Sequence, residues 1–262
     1  MPQLTLMTYL IVCPLVFLGG FVDSIAGGGG LITLPAYYIA GLSPSLAGGS
    51  NKLSAMSGTA VATYKYASRE LVDWRKGIAS LLGSFPGSAL GAYLLTLLPE
   101  LYVRMGLVIA LPFVALLVLR NKDLSQRSPL VPIQWTLPAS FAIGLLVGVY
   151  DGLVGPGTGT FLILAYVMLL GEEALKASGT AKLINLGSNL GALGVLITTG
   201  HVLYALALPA AAFGMAGNVL GTNLAIKKGA PFIRVLLLMV LALLLGKLVI
   251  DLLPEIRSLI NA

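Results

Sequence analysis

The two halves of this chain repeat one another. A shift of 128 carries Leu18, Gly20, Asp23, Gly27, Gly29, Leu34 and Tyr38 onto Leu146, Gly148, Asp151, Gly155, Gly157, Leu162 and Tyr166. After a two-residue insertion, a shift of 130 carries Ala47, Gly49, Lys52, Leu53, Val72, Gly87, Leu90, Gly91 and Arg104 onto Ala177, Gly179, Lys182, Leu183, Val202, Gly217, Leu220, Gly221 and Arg234. An Asp, a Lys and an Arg recur in place, so the match is more than shared apolarity. Duplicated apolar chains with charges mirrored inside them have the form of transporters, which place their substrates where two repeats meet.

The bilayer is the solvent this composition calls for. Hydrophobic residues make up 57% and charged residues only 10%, against roughly 25% charged in soluble domains. No polar stretch is long enough for a separate soluble domain. The 32 glycines suit membrane helices that approach closely. A net charge of +6 sits in short loops, where Lys and Arg orient a membrane protein; it is not a nucleic-acid signal. A single cysteine, Cys13, excludes an internal disulfide and a cysteine metal cluster, and a single histidine, His201, excludes an HExxH metal site. No cofactor is expected. The N-terminal apolar run lacks a basic lead and a cleavage site, so it reads as a retained span.

The expected fold is an all-α integral membrane domain of two inverted repeats with 8–10 membrane helical segments. Repeat 1 covers 1–128, with a helical hairpin over 4–42 and spans over 45–64, 77–98 and 101–119. Repeat 2 covers 129–262, with a hairpin over 132–170 and spans over 176–198, 203–223 and 231–253. Segments 29–42 and 159–170 fall short of the roughly 20 residues a crossing needs. Each follows a glycine-rich break, Asp23–Gly30 or Asp151–Gly159. Irregular backbone at membrane depth must be buried in protein or line a wet cavity, so each break reads as the tip of a re-entrant hairpin. With inverted repeats, Lys65, Arg69, Arg75, Lys76, Arg120, Lys122, Arg127, Lys176, Lys227, Lys228 and Arg234 share one face, and only Arg104 and Arg257 lie opposite. With parallel repeats that ratio of 11 to 2 falls to 8 to 5. The positive-inside rule therefore favours inversion, with both termini on the outer side. Pro86, Pro112 and Pro209 read as kinks, and His201 as a loop residue.

Hairpin tips entering from opposite faces would meet near the midplane. There the free N–H groups at the start of a half-helix carry partial positive charge, and glycine admits a ligand close to them. Gly27, Gly28, Gly29 and Gly30 in one half, and Gly155, Gly157 and Gly159 in the other, are candidate anion cradles, with Thr158 and Thr160 adding hydroxyls. Each of Lys52 and Lys182 lies about seven residues into its span, roughly 10 Å deep. An intramembrane cation costs at least about 2.5–3.5 kcal/mol and faces a partner or a water path. Snorkelling explains one such lysine more readily than a matched pair. Their neighbours Ser50, Asn51, Ser54 and Ser57, and Ser178, Thr180, Asn185, Ser188 and Asn189, make narrow polar stripes. Asp23 and Asp151 would repel an anion unless each pairs with a buried lysine or is protonated and supplies a coupling proton. A local role, capping backbone N–H groups at the break, is the simpler alternative.

The break Gly27–Gly30, then Pro35 and Ala47-Gly48-Gly49-Ser50-Asn51-Lys52, resembles the TauE/SafE sulfite exporter family, as does the echo Gly155-Pro156-Gly157-Thr158-Gly159 and Ala177-Ser178-Gly179-Thr180-Ala181-Lys182. The likeness covers roughly residues 10–253. It implies export or uptake of small sulfur-containing anions: sulfite, sulfoacetate or related organosulfonates. Ala181 stands where the first half has Asn51, so the half-sites differ chemically. The expected protein is a multi-pass secondary transporter of the bacterial inner membrane and not an enzyme. Its anion would be held at the midplane by the tips with Ser50, Asn51, Lys52, Thr158, Thr180, Lys182 and Asn185, and Asp23 and Asp151 would serve charge pairing or coupling. Its partners would be the substrate anion, the lipid bilayer and a candidate coupling proton, with an oligomer left open. The absence of a GxxxxGK[ST] loop excludes direct use of ATP. Rival readings are a passive anion channel, an intramembrane lipid enzyme, which lacks a Ser/His pair or metal ligands, and a metal-cation exporter, disfavoured by the buried lysines.

Overall fold

The computed structural model describes residues 4–98, 128–240, 242 and 246. The expected span 101–119, Arg104, Pro112, Arg120, Lys122, Arg127 and Arg257, and most of the last span beyond residue 240 lie outside the described residues. Among the described residues every regular element is helical: α1 (Leu6–Ala26), α2 (Gly30–Ile39), α3 (Pro44–Ala67), α4 (Trp74–Leu97), a 3-10 turn (Ile133–Trp135), α5 (Thr136–Leu153), α6 (Thr158–Leu170), α7 (Ala174–Thr198) and α8 (Tyr204–Lys228). A further apolar helix, α9, covers Ala230–Val240. Five stretches, Leu6–Ala26, Trp74–Leu97, Ile133–Leu153, Ala174–Thr198 and Tyr204–Lys228, are long and apolar enough to cross a membrane. The chain is a multi-pass membrane protein. Its α3 has 24 residues, about 36 Å at 1.5 Å each. It is more polar than those five because Ser50, Asn51, Lys52 and Ser54 point into the protein and are buried there.

Local chemistry sets the helix ends. Thr5 and Thr8 form a reciprocal capping box at the start of α1, and the Asp73 carboxylate caps α4 by accepting from the Lys76 N–H. The first break is shorter than its glycine run. Asp23, Ser24, Ile25 and Ala26 stay helical, and the chain turns at Gly27, where φ is 76° and the N–H returns to the Asp23 carbonyl. A side chain at Gly27 would also run into the backbone of Gly159, so only glycine fits both the left-handed turn and the approach. In the second half α5 likewise carries Asp151 within its last turn, ending at Leu153. Pro14, Pro35, Pro86 and Pro209 sit inside helices, which membrane helices tolerate because neighbours satisfy the freed backbone groups.

After each break the chain doubles back. Gly29 packs on Asp23 and Gly19 of α1, Thr33 on Gly19, and Tyr37 shares a buried cluster with Val12, Cys13 and Val16. In α5–α6 the Tyr150 and Phe161 rings lie 4.9 Å apart, and the Leu130 and Val131 N–H groups donate to the Leu169 carbonyl. Packing between the halves recurs at the same numerical shifts. α4 packs on α5 and α7; α8, its counterpart, packs on α1 and α3. Gly87 lies against the Leu145 backbone and Gly217 against that of Phe17; Gly91 lies against Val149 and Gly221 against Phe21. The Asp73 N–H donates to Thr180 Oγ1 at 3.0 Å, and the Leu203 N–H donates to Ser50 Oγ at 3.0 Å. Shifts of 128 and 130 relate the members of each pair. Gly83, Gly87 and Gly91 of α4 lie against the carbonyls of Phe141, Leu145 and Val149, and Gly144, Gly148 and Gly152 of α5 against those of Ser80, Ser84 and Ser88, so the two backbones touch. In lipid, contact of this kind replaces the hydrophobic drive as the source of helix association. Outward, Leu82, Leu90, Leu146, Leu208 and Leu220 are exposed, as lipid-facing positions should be.

The bundle has two unlike ends. Lys65 reaches Asn223 of α8 at 2.8 Å, Thr180 holds Asp73, and Lys76 pairs with Glu172 at 2.6 Å. These links gather Lys65, Arg69, Arg75, Lys76, Lys176, Lys227, Lys228 and Arg234 at one end. There, burial works to raise the Asp73 carboxyl, but the Lys76 N–H and ammonium outweigh it and hold it below its ordinary value. Burial pushes Glu172 above its ordinary value, and Lys76 offsets this only in part. The α5–α6 pair opens at this end, beside Glu172. At the other end Leu42 and Leu206 are buried together with Leu203 packed on them, and Tyr9 of α1 donates to the Ala205 carbonyl. The α1–α2 pair opens there. Among the described residues that end carries no Lys or Arg.

Candidate functional site

The two breaks touch. Gly27 abuts Gly159, Gly30 abuts Pro156, and Thr160 Oγ1 donates to the Ala26 carbonyl at 2.7 Å. Beside this junction lies a cavity of about 50 Å³, room for a few waters or a small oxyanion.

Both charged pairs at the junction join opposite halves. Lys52 Nζ lies 2.6 Å from Asp151 Oδ2, and Lys182 Nζ lies 2.7 Å from Asp23 Oδ2. Each lysine is the ninth residue of its helix, α3 or α7, about 12 Å from the helix start. Opposite charge at contact compensates the desolvation of both partners, which an isolated buried ion could not survive. Asp151 has more support than Asp23. Its Oδ1 accepts from the Thr158 hydroxyl at 2.7 Å and its Oδ2 from the Ser188 hydroxyl at 2.6 Å. Among the described residues, the side-chain bond to the Asp23 carboxylate comes from Lys182 alone.

The cavity brings together Gly27, Gly29, Gly30, Asp23, Asn51, Lys52, Gly155, Thr158, Asp151 and Asn185. The other residues singled out from the sequence lie elsewhere. Lys182 is fully buried behind Asp23 and does not line the cavity. Gly28 faces Val240, and Gly159 is pressed against Gly27. Gly157 takes φ 83° as the cap of α6. Ser50 and Thr180 hold the loop N–H groups of Leu203 and Asp73. Two polar cavity residues, Thr33 and Asn218, carried no sequence expectation. Asn218 did leave a signal, being a carboxamide deep in an apolar span, and intramembrane polar residues are costly enough to suggest function.

The wall also carries unspent hydrogen-bonding capacity. Asn51 Oδ1, Asn189 Nδ2 and Asn218 Oδ1 are buried without a hydrogen-bond partner, and all three residues line the cavity. Buried polar atoms are nearly always paired, so three orphans around one void mark a place that something polar fills. The cavity wall carries one cation, two carboxylates and a ring of carboxamides and hydroxyls, with the second cation, Lys182, behind Asp23. Among the described residues no cluster of His, Cys, Asp and Glu could hold a metal ion. The set suits reversible binding of a small polar ion.

The family model for the sulfite exporters TauE/SafE matches residues 12–248, which includes both breaks and both ion pairs. The chain belongs to the TauE/SafE family. It is 39% identical to a "Probable membrane transporter protein ORF9" of Sinorhizobium sp, over 90% of each chain. It is 35% identical to the "Probable membrane transporter protein YfcA" of Escherichia coli K12, over 89% of this chain and 87% of the relative. A "Probable membrane transporter protein" of Haemophilus influenzae is 36% identical over 90% of this chain and 92% of its own. No solved structure matches the chain. The protein is thus a TauE/SafE membrane transporter, and the resemblance read from the paired glycine and lysine motifs is confirmed at the level of the family.

Proposed function

We propose that this TauE/SafE protein is a secondary transporter that exports a small sulfur-containing anion, such as sulfite or an organosulfonate, across the bacterial inner membrane. The observation that carries the reading is the cavity at the junction of the two breaks, where the Lys52–Asp151 pair is joined by three carboxamides that each leave one buried atom without a partner. An anion there would take its charge compensation from Lys52, a hydrogen bond from the Asn189 amide, and close backbone approach from Gly27, Gly29 and Gly155. Asp151 is the group that such an anion would displace, and it is our candidate for coupling to a proton.

We read the chain as two inverted repeats, residues 1–128 and 129–262, each a re-entrant hairpin with three spans. Two observations support this: α1–α2 and α5–α6 open at opposite ends of the bundle, and contacts between the halves exchange at the shifts of 128 and 130 that relate the two sequences. The cation-rich end is then cytoplasmic and the termini lie outside. Alternation between faces would come from rocking one repeat against the other around the junction.

Proteoliposomes loaded with radiolabelled sulfite test the function. Wild-type protein should release it saturably and faster under an imposed proton gradient, and Lys52→Gln should cut the rate at least tenfold. Sulfite release equal to that of empty liposomes would refute the reading.

A further inference from the structure

The two Lys–Asp pairs are related by the sequence repeat, yet they sit in different surroundings. Lys52 and Asp151 both line the cavity; of the other pair only Asp23 does, and Lys182 is 0% exposed. Parting Lys182 from Asp23 would strand a fully buried ammonium beside a carboxylate that has lost its side-chain donor, which is the expensive way to break an ion pair. Parting Lys52 from Asp151 strands neither group. Asp151 keeps the Thr158 and Ser188 hydroxyls at 2.7 and 2.6 Å, and Lys52 is left facing the cavity.

The carboxamides follow the same division. Asn51, Asn189 and Asn218, whose partnerless atoms border the cavity, are 7%, 2% and 2% exposed. A shift of 130 relates them to Ala181, Thr59 and Ser88. Ala181 is apolar, and the Ser88 hydroxyl is already spent on the Phe85 and Ser188 carbonyls. The Thr59 hydroxyl is buried without a partner, but Thr59 does not line the cavity. The polar capacity that faces the cavity has gathered on the Lys52 copy of the site.

We infer that the duplicated pairs have divided their roles: Lys52–Asp151 opens to exchange its carboxylate for a substrate oxyanion, and Lys182–Asp23 stays closed as a strut fastening the end of α1 to α7. This rests on the cavity being the anion site. It adds that the site is single and off the axis of the repeat, with one lysine per bound anion and not two. Asn51, Asn189 and Asn218 offer the incoming oxyanion and its water both donors and acceptors.

The test changes the lysine of each pair and measures sulfite flux in proteoliposomes together with thermal stability in detergent. K52Q should lose flux at least tenfold with its melting temperature little changed. K182Q, whose side chain does not line the cavity, should keep flux within about threefold of wild type and melt several degrees lower. Equal loss of flux in both variants, or flux surviving in K52Q, overturns the division of roles while leaving the transporter reading intact. A wild-type protein that moves no sulfite overturns both. If K182Q fails to fold, K182R and K52R provide the comparison: K182R should keep the wild-type KM and K52R should shift it at least fivefold. Equal shifts in the two would overturn the inference.

Discussion

At the scale of residues, the molecule keeps polar groups in the membrane interior unpaired with one another, which stability alone would not favour. Replacing a buried, partnerless carboxamide with an apolar residue of similar size removes a desolvation cost of about 1–3 kcal/mol. Asn189→Leu is therefore expected to raise the melting temperature while weakening sulfite uptake, measured by thermal unfolding and by KM in proteoliposomes. A loss of both stability and uptake would mean that Asn189 serves the fold. Ser188→Ala takes one of two hydroxyl donors from Asp151, and bonds to charged groups are worth about 1.5–3 kcal/mol; a lower melting temperature of the purified protein is the expected outcome. The sequence displayed the ingredients of this site, because Asp23, Asp151, Lys52 and Lys182 recur at matched positions and an intramembrane charge is never idle. It did not display the partners. Each lysine reaches across to the other half, a contact between residues 52 and 151 or 182 and 23 that neither periodicity nor spacing encodes. Nor could it separate Lys52 from Lys182, whose difference lies in which one borders a void.

At the scale of elements, helix positions were largely legible because apolar runs of crossing length and short runs after glycine breaks have distinct signatures. The ends were less so. Asp23–Ala26 read as part of a glycine-rich break, yet they complete α1, since the break needs only the left-handed turn at Gly27. The α4–α5 interface depends on glycines in backbone contact, and a methyl group at Gly91 would press on the Val149 carbonyl and the Leu153 nitrogen. Gly91→Ala should cost about 1–3 kcal/mol, as overpacking does, with a larger loss for Gly91→Leu; chemical denaturation in detergent measures both. Asp73 caps α4 and holds Lys76. Its pKa is depressed on folding, so the stability it contributes is fully present above the ordinary carboxyl value of 3.8 and fades as the pH falls through the lower folded value. Asp73→Asn should flatten that acid limb in a melting-temperature profile against pH.

At the scale of the whole molecule, one end bears eight cations, Lys65, Arg69, Arg75, Lys76, Lys176, Lys227, Lys228 and Arg234, and the other is closed by Leu42, Leu203 and Leu206. The asymmetry predicts orientation. In a Cys13→Ala background, a membrane-impermeant maleimide applied to intact cells should label Thr199→Cys and spare Ser68→Cys until the membrane is opened; the reverse pattern would invert the topology. The all-helical, multi-pass character of the chain was readable from its apolar runs. The cavity beside the junction was not, because it arises where the two copies have diverged. The central claim is that this cavity binds one small anion through Lys52. Equilibrium binding of radiolabelled sulfite to the purified protein tests it most directly. The account predicts saturable binding at one site per chain, lost in Lys52→Gln and retained in Lys182→Gln; binding indifferent to Lys52 would contradict it.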